Sequence, residues 1–373
     1  MIATRALYNG RMHTYRPRPH ERVTVVTVTY ADRWDTGLSA TVASVLADPR
    51  ADLVVVCNGA GESTRRRLRA RAAEDAGRVE MIEFPSNRGS APAFAAGLSA
   101  AYRRGTAVLL LDDDNPLPRG ALARLDAVAS ATARGSRVCA LACLRAVNPV
   151  HVDLRDGVPS DDLFAELRPG AFLTTDLFRD RRRARAKNDP ITTVETVDGP
   201  HRVVPLPNAM WGGLFLPAPV AALGLLPPAD LVLYGDDNAF SALMRAAGIP
   251  ILLCLDIEIT DTVDWHRSSQ PVRGAMRVPR VLHTAPEHLW RIRYQNRNAA
   301  YLSVSQARSA RARARLAANV VARTGMLFAA ALIARRLPAF FAVAGAYAEG
   351  LRGRLGPSYP LPGATPESAA TGR

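Results

Sequence analysis

The chain has 373 residues, of which 48% are hydrophobic and 22% are charged, and this composition excludes an intrinsically disordered protein. Its 48 lysines and arginines outnumber its 34 aspartates and glutamates, and the net charge of +14 favours anionic partners such as nucleic acid, an anionic membrane or phosphorylated substrates. The length suits one large α/β domain with an appended segment, or two smaller domains.

The N-terminal residues and the cysteines indicate the compartment. Residues 1–21 contain no apolar core of signal-peptide length, so export is not expected. The cysteines stand inside apolar runs without Cys-x-x-Cys spacing, which is typical of buried residues in a reduced cytosolic protein and argues against a zinc site. They are Cys57, Cys139, Cys143 and Cys254. We therefore expect a cytoplasmic protein, either free or peripheral at the inner face of the cell membrane.

Strand-like and helix-like segments alternate from residue 23 onward. Aliphatic or β-branched runs predict strands at 23–30, 52–58, 79–84 and 107–113. The intervening and following patterns predict helices at 38–46, 62–76, 91–102 and 121–134. This alternation predicts βαβ units and a mostly parallel sheet with helices on both faces. Ligands of such sheets bind beyond the carboxyl ends of the strands, where this chain has polar residues.

The second half of the sequence is less regular. A further strand is predicted at 137–145, and the mixture of Pro, Asp, Arg and Gly in residues 146–207 predicts an insertion or a small accessory hairpin. A helix at 234–248 begins with acidic residues and ends at a glycine, as dipole and capping preferences favour. The chain from residue 291 is helical and rich in Arg and Ala, and the residues from 357 predict a disordered tail.

Three consecutive aspartates follow the predicted strand that ends near residue 113, in the stretch Leu-Leu-Leu-Asp-Asp-Asp-Asn. Because side chains alternate along an extended segment, we expect Asp112 and Asp114 on one side and Asp113 on the other. Two carboxylates on one side suit Mg²⁺ or Mn²⁺ bridging to a diphosphate. Capping of the following helix is an equal alternative.

A second acidic pair, Asp236-Asp237, opens a predicted helix. It is compatible with helix capping and with a general base that deprotonates an acceptor hydroxyl. Further along, His266 is either a packed or surface residue or a nitrogen ligand that returns to the metal, a role for which Asp261 and Asp264 compete.

Two tryptophans and one basic segment have two interpretations each. Trp211 and Trp265 are candidates for stacking on an acceptor sugar, with core packing as the alternative. The Arg-rich segment 307–336 is either a solvated helical face or an interfacial helix on anionic lipid, where a lipid-linked acceptor would lie.

The order and spacing of several short motifs resemble a known family. In chain order they are VVVCNG, FPSNRGSAPAFAAGL, LLLDDDN, WGGLFLP, LYGDDNAFSALMRAAG, VDWH and RYQNRNAAYL. This order, from about residue 22 to 302, resembles the family 2 glycosyltransferases with the GT-A fold and is most similar to their rhamnosyltransferase and galactofuranosyltransferase branch. The resemblance implies an α/β GT-A domain with a mostly parallel central sheet, helices on both faces and a helical C-terminal extension.

The resemblance also implies a domain organisation. The expected parts are an N-terminal extension (1–21), a catalytic domain (22–290), a basic helical region (291–356) and a disordered tail (357–373). Within the catalytic domain we expect a nucleotide-sugar half at about 22–115, an acceptor half at about 137–270 and the insertion at about 146–207.

Roles for individual residues follow from the resemblance. It implies that the nucleotide-sugar is bound by Thr29, Tyr30, Arg33, Asn58, Asn87, Gly89, Asp112 and Asp113. Mn²⁺ or Mg²⁺ would be held by Asp112, Asp114 and His266. Asp237 would be the catalytic base of a direct, inverting displacement, and Asp236 would hold the acceptor beside Trp211 and Trp265.

Three departures from the family pattern accompany the resemblance. The stretch from Asn87 through Gly89 to Gly97 lacks several of the usual glycines, which stiffens the approach to the sugar-phosphate. Arg33 is separated from Tyr30 by two residues, where relatives commonly have Asn immediately before Arg. In RYQNRNAAYL, Gln295 replaces the usual second Tyr, whereas Arg297 and Asn298 are retained and would pair with phosphate or buttress the site.

The sequence therefore predicts a metal-dependent inverting glycosyltransferase that uses a UDP- or dTDP-sugar, with a rhamnose- or galactofuranose-like sugar, and a glycan, glycolipid or small-molecule acceptor. A sugar-nucleotide nucleotidyltransferase is one alternative, but such an enzyme requires a Gly-rich basic loop after the first strand. The segment at that place in this chain, TYADRWD, is not such a loop. A basic nucleic-acid-binding protein is the other, and the acidic sheet edge and the lack of an aromatic and basic stripe oppose it. No nucleic-acid partner is expected, and the sequence predicts no oligomeric state.

Overall fold

The computed structural model describes residues 22–135, 138–158, 167–179, 191–262, 279–284 and 288–361. The predictions for residues 1–21, Asp264, Trp265, His266 and residues 362–373 lie outside these ranges.

The elements are given in chain order with the labels used below. The strands are β1 (Val23–Ala31), β2 (Ala51–Ala60), β3 (Val79–Phe84), β4 (Ala107–Asp112), β5 (Ala140–Arg145), β6 (Thr192–Thr196), β7 (Gly199–Leu206), β8 (Leu214–Leu216) and β9 (Ile251–Ile259). The helices are α1 (Ser39–Leu46), α2 (Glu62–Glu74), α3 (Ser90–Tyr102), α4 (Ala121–Arg134), α5 (Pro149–Arg155), α6 (Ala218–Ala221), α7 (Asp236–Ala246), α8 (Leu289–Gln306), α9 (Ala310–Ile333) and α10 (Leu337–Leu351).

The described strands form one nine-stranded sheet in the order β3-β2-β1-β4-β8-β5-β9-β7-β6. β1 pairs in parallel with β2 and with β4, and β2 pairs in parallel with β3. The short β8 is antiparallel to both β4 and β5, so the residues that lead into β8 lie at the same edge as the carboxyl end of β4. This mostly parallel sheet with helices on both faces confirms the predicted fold class.

Strand β4 shows why the sheet is buried on both faces. Leu109 and Leu111 belong to the hydrophobic core on one face, and Val108 and Leu110 belong to the core on the other. Each of these four side chains has 0% exposure. A strand with no solvated face has an uninterrupted apolar sequence, and the polar run begins only where the strand ends.

The insertion predicted at 146–207 contributes to the sheet. Its described part includes the hairpin of β6 and β7, and β7 pairs antiparallel with β9. The hairpin therefore extends the central sheet at one edge and is not a separate accessory unit.

The last three helices form their own hydrophobic cluster. Buried residues of α8, α9 and α10 pack together, among them Ala300, Leu327 and Val343, with Phe172 beside them. By length and composition α9 is apolar enough to cross a membrane, and 22% of its most apolar window is buried. Residues 357–361, predicted as part of a disordered tail, instead make defined contacts with α8, described below.

Candidate active site

Two neighbouring cavities lie at the edge formed by the carboxyl ends of the parallel strands. The smaller, about 290 Å³, is lined by residues that include Tyr30, Asn58, Asn87, Gly89, Ser90, Asp112, Tyr234, Trp290, Arg291 and Leu361. The larger, about 600 Å³, is lined by residues that include Asn208, Tyr234, Asp237, Asn238, Gln295, Asn296, Ser303, Gln306 and Arg323. Tyr234 lies in both walls, so the two cavities adjoin.

Asp113 is held behind the smaller cavity by two residues from β1 and the turn after it. The Thr29 hydroxyl donates to Asp113 Oδ2 at 2.7 Å, and Arg33 Nη2 donates to Asp113 Oδ1 at 3.0 Å. Burial raises the pKa of the Asp113 carboxyl, and Arg33 and Thr29 offset part of that rise. Thr29 has 0% exposure and its hydroxyl fixes Asp113, and its predicted contact with the nucleotide stays a prediction.

The alternation of side chains along a strand predicted that Asp112 and Asp114 lie on one side. In the structure they point to different surroundings. β4 ends at Asp112 and a turn begins, so the strand periodicity no longer applies. Asp114 Oδ2 lies 3.6 Å from Arg33 Nη2, on the same arginine as Asp113, whereas the Asp112 side chain is 39% exposed and lines the smaller cavity. Only Asp112 of the three aspartates faces that cavity.

Arg145, at the carboxyl end of β5, pairs with Asp112. Its Nη1 donates to Asp112 Oδ2 at 3.0 Å and to the Gly212 carbonyl at 3.2 Å, and its Nη2 pairs with Asp261. A β-carbon on Gly212 would come within 1.7 Å of Arg145 Nη1, so a larger residue there would displace the guanidinium from Asp112. Arg145 is not among the site residues predicted from the sequence, although an arginine that ends a fully apolar strand needs buried carboxylate partners and is therefore a usable signal.

Asn58 and Asn87 shape the loop between β3 and α3. Asn58 Nδ2 donates to Asn87 Oδ1 at 2.9 Å and to the Gly89 carbonyl at 3.0 Å. Gly89 has φ +91°, and a β-carbon there would lie 2.1 Å from the Val232 carbonyl oxygen. The amides therefore fix a turn that only glycine permits, and this turn brings the smaller cavity against the loop before α7.

Asp236, the first residue of α7, is 2% exposed. Its Oδ2 accepts hydrogen bonds from the Ser90 hydroxyl at 2.7 Å and from Trp211 Nε1 at 3.0 Å. Trp211 is itself 6% exposed and packs between Phe94 and Phe240. The expectation that Trp211 is an exposed stacking platform is wrong: it orients Asp236 and packs in the core.

Asp237 is the carboxylate that faces the larger cavity. Burial, and then the negative charge of Asp236, raise the pKa of Asp237 to about 7, and the backbone N–H of Asn238 partly opposes the rise. The charge of Asp112 also raises the pKa values of Asp236 and Asp237. A carboxyl with a pKa near neutrality can accept and release a proton at physiological pH.

The loop that leads into α7 is strained and is held by α8. Val232 and Tyr234 have φ values of +65° and +63°, which non-glycine residues rarely adopt. Asn298 Nδ2 donates to the carbonyls of Leu231, Leu233 and Tyr234 at 2.7–2.9 Å. The sequence left two roles open for Asn298, pairing with phosphate or buttressing the site. These hydrogen bonds to the loop support the second role.

Arg297, which is fully buried, joins the same loop to the C-terminal segment. Its Nη2 donates to the Leu231 carbonyl at 3.1 Å, and its Nη1 donates to the Gly356 carbonyl at 2.6 Å. The Tyr294 hydroxyl donates to the Tyr359 carbonyl at 2.8 Å. Residues 356–361 therefore form a strap across α8, and its last residue, Leu361, lines the smaller cavity.

A divalent metal fits the described residues only in part. Asp112 offers the cavity a hard oxygen ligand of the kind that Mg²⁺ and Mn²⁺ prefer. Asp114 is turned toward Arg33, and within the described ranges no cluster of three His, Cys, Asp or Glu residues has metal-binding geometry. The predicted ligand His266 lies outside those ranges, so the metal roles of Asp114 and His266 stay predictions.

This sheet edge thus combines aspartates, two adjoining cavities and a carboxyl that can accept a proton. Residues 24–139 match the family model described as Glycosyl transferase family 2. This part of the chain is therefore similar to the family 2 glycosyltransferases, and the mostly parallel central sheet agrees with the predicted GT-A fold. No curated protein matches the chain in sequence.

Several solved structures are similar to this chain. They include a mannosyltransferase from Pyrobaculum calidifontis in complex with GDP-Man and Mn²⁺, at 19% identity, covering 89% of each chain, with a TM-score of 0.42. S. aureus TarS 1-349 in complex with UDP-GlcNAc has 13% identity over 89% of this chain and 92% of that chain, with a TM-score of 0.44.

A third structure, GalNAc-T7 with UDP, GalNAc and Mn²⁺, has 17% identity and a TM-score of 0.43, over 65% of this chain and 44% of that chain. The chain thus spans less than half the length of that structure. The similarity to the family therefore rests on residues 24–139.

Proposed function

We propose that the protein is an inverting, metal-dependent glycosyltransferase that moves a sugar from a nucleotide diphosphate to a hydroxyl of an uncharged carbohydrate-like acceptor. One observation carries this proposal: Asp237, whose pKa is raised to about 7, faces the larger cavity, and that cavity shares the wall residue Tyr234 with the cavity that contains Asp112.

The smaller cavity is proposed as the donor site. Tyr30 offers an aromatic face for a base or ribose, and Asp112 and Ser90 offer polar groups near the diphosphate. Asp112 would hold the divalent cation, which when bound neutralises charge on the leaving diphosphate. Arg145 holds the Asp112 carboxylate in place through a charge-assisted hydrogen bond.

The larger cavity is proposed as the acceptor site. The amide side chains of Asn208, Asn238, Gln295, Asn296 and Gln306 line it, with Ser303 and Thr284, and its charged lining groups are Asp237 and Arg323. These many uncharged hydrogen-bond donors and acceptors suit the hydroxyls of a sugar or another polyol. A volume of about 600 Å³ accommodates more than one sugar ring.

The chemistry then needs one base and no covalent nucleophile. Asp237 accepts the proton of the acceptor hydroxyl as the hydroxyl oxygen forms a bond to the anomeric carbon. The bond from that carbon to the diphosphate oxygen breaks, and its electron pair leaves with the nucleoside diphosphate. Attack from the face opposite the leaving group inverts the anomeric centre. Asp236, fixed by Ser90 and Trp211, positions the N-terminus of α7 and hence Asp237.

The sugar is proposed as rhamnose- or galactofuranose-like on UDP or dTDP. The support is the order of sequence motifs from VVVCNG to RYQNRNAAYL. The reaction would take place on the cytoplasmic side, where nucleotide-sugars are available, and the reduced, buried cysteines agree with that compartment.

A donor panel tests the proposal. Purified protein is incubated with UDP-, dTDP- and GDP-sugars, with and without Mn²⁺, and with a series of neutral glycosides as acceptors. We expect one UDP- or dTDP-sugar to give glycosylated product and free nucleoside diphosphate, detected by mass spectrometry. Release of pyrophosphate would instead identify a nucleotidyltransferase, and binding of duplex or single-stranded nucleic acid without sugar transfer would overturn the enzyme assignment.

A further inference from the structure

The exposed face of α9 is apolar, which is unusual for a helix on a protein surface. Val321 is 72% exposed, Met326 is 55% exposed and Ile333 is 64% exposed, and Phe328 and Leu332 lie exposed between them. Residues 316–334 contain one charged side chain, Arg323. A helix that borders water normally presents polar side chains on its outer face, so this face is suited to a non-aqueous neighbour.

Phe341 of α10 enlarges the same surface. It is 64% exposed and packs on Phe340, which in turn packs on Phe328 of α9. We call the exposed set Val321, Met326, Phe328, Leu332, Ile333 and Phe341 the apolar face. It spans about 18 Å along the helix from residue 321 to residue 333, and contiguous apolar surface of this extent marks an interaction site.

Arginines flank the apolar face, and the stretch of sequence that contains it has no acidic residue. Arg335 and Arg336 are exposed in the turn between α9 and α10 and make no ion pair within the described residues. Exposed Arg311 and Arg313 stand at the opposite end of α9. From residue 288 to residue 348 the sequence contains no Asp or Glu. The charges therefore complement an anionic surface and oppose a cationic one.

The opposite face of α9 argues against a membrane-spanning position. Leu316, Leu327 and Ala331 are buried against α8, α10 and the loop of Phe172. Arg323, near the middle of the helix, lines the larger cavity and interacts with the Tyr347 hydroxyl of α10. A crossing helix would lose this packing and place an arginine near the bilayer centre, which costs several kcal/mol.

We propose that the apolar face and its flanking arginines bind the surface of an anionic lipid bilayer, with α9 lying in the interfacial plane. The apolar side chains insert at the headgroup boundary, and the arginines at both ends of the helix pair with anionic headgroups. Arg323 on the inner side of the same helix lines the larger cavity, so this binding would hold that cavity close to the lipid surface.

Vesicle cosedimentation of the full chain tests this proposal without any activity measurement. The protein is mixed with vesicles of phosphatidylcholine alone or of phosphatidylcholine with 30% phosphatidylglycerol, at low and physiological salt. We expect binding to the anionic vesicles and much weaker binding to the neutral ones. Substitution R335Q with R336Q should weaken binding to anionic vesicles roughly fivefold for each arginine.

Matched control variants show whether the effect on vesicle binding comes from the apolar face itself or from a general loss of charge or hydrophobic surface. R66Q with R119Q removes two exposed arginines that make no ion pair in the described part of the chain and should leave binding within about twofold. F328Q with I333Q should abolish most binding, whereas V197Q, at an 88% exposed position of the β6–β7 turn, should not. Circular dichroism checks that every variant is folded.

Three results would overturn the proposal. Equal binding to neutral and anionic vesicles would remove the role of the arginines. A dimer that F328Q with I333Q converts to a monomer, measured by light scattering with no vesicle binding, would assign the face to a second copy of the chain. Resistance of the membrane-bound protein to extraction at alkaline pH would indicate a spanning helix.

Discussion

The two acidic groups of the site differ in what neutralises them. At the smaller cavity arginines lie beside the aspartates: Asp112 pairs with Arg145, and Asp113 and Asp114 lie at Arg33. At the larger cavity neutral groups hold the carboxylates, because Ser90, Trp211 and backbone N–H groups bind Asp236 and Asp237. The carboxylates of one group are thus fixed by arginines, whereas neutral donors hold those of the other group, where burial raises the pKa of Asp237 to about 7.

The physical basis of this difference is the charge of the groups beside each carboxylate. An arginine beside a carboxylate favours the ionised form, whereas burial without a cation favours the protonated form. Two carboxylates with different environments can then take different roles within one site.

The substitution Asp237→Asn should give the largest effect. Because the amide cannot accept the hydroxyl proton, we expect kcat to fall by about 10²- to 10⁴-fold, with donor affinity almost unchanged. The measurement is product formation at saturating donor and acceptor, together with calorimetric titration of the donor. Asp198→Asn, at an exposed residue of the β6–β7 turn, is the control. Full activity of the Asp237→Asn enzyme would move the base elsewhere, first to Asp236.

The substitution Asp112→Asn tests the other side of the comparison. We expect roughly 10- to 100-fold weaker donor binding and loss of the effect of Mn²⁺ on that binding, because a neutral amide is a poorer ligand for the cation. Thermal shift and calorimetry with nucleoside diphosphate measure this without turnover. If Mn²⁺ still strengthens donor binding to the variant, Asp112 is not the metal ligand.

The pH dependence of the rate follows from the raised pKa of Asp237. The base must be ionised, so kcat should fall about tenfold for each pH unit below the pKa, which burial raises to about 7. An ordinary aspartate would place this acid limb near pH 4. A rate profile from pH 5 to 9, with a stability check at each pH, measures it. An acid limb near pH 4 would mean that Asp237 is not the titrating base.

The substitution Asn298→Ala probes the buttress of the loop that carries the acidic pair. Since Asn298 binds three loop carbonyls, we expect a loss of about 2 kcal/mol in the free energy of unfolding and a lower kcat with little change in the donor KM. Asn319→Ala is the matched control. Asn319 is equally buried and binds Leu177 N–H and the Gly170 carbonyl. It should cost similar stability and keep kcat at saturating acceptor.

Equal kcat values for the Asn298→Ala and Asn319→Ala enzymes would contradict a positioning role for Asn298. In that case the hydrogen bonds of Asn298 would contribute to stability alone, and the strained loop would hold its conformation through the contacts of Arg297 and Gly89.

Much of the fold was predictable from the sequence because local patterns specify it. Uninterrupted aliphatic strands that alternate with helices dictate a covered parallel sheet, and the polar residues after Val28 and Leu111 had to gather at one edge. Which of the residues Asp112 to Asp114 faces the smaller cavity was not predictable. The alternation of side chains ends where β4 ends, and a turn then sets the side-chain directions.

Long-range contacts account for the rest of what the sequence did not reveal. The sequence allows Trp211 to be a stacking platform or a core residue, and only the positions of Phe94 and Phe240 decide between the two. Arg145 of β5 pairs with Asp112 of β4 and with Asp261, which follows β9. Asn298 donates hydrogen bonds to a loop more than 60 residues earlier in the chain. Such pairings depend on the packed structure, which no local periodicity encodes.

The strap of residues 356–361 has a consequence for the order in which the protein becomes functional during translation. A nascent chain can build the sheet and its aspartates long before α8 has been synthesised. The wall formed by Leu361, and the hydrogen bond from Arg297 to Gly356 that ties the strap to the loop before α7, arise only after the last described residues have left the ribosome. The smaller cavity is therefore completed only after residue 361 has been synthesised, so a chain interrupted before that residue would fold its sheet and still lack this part of the cavity wall.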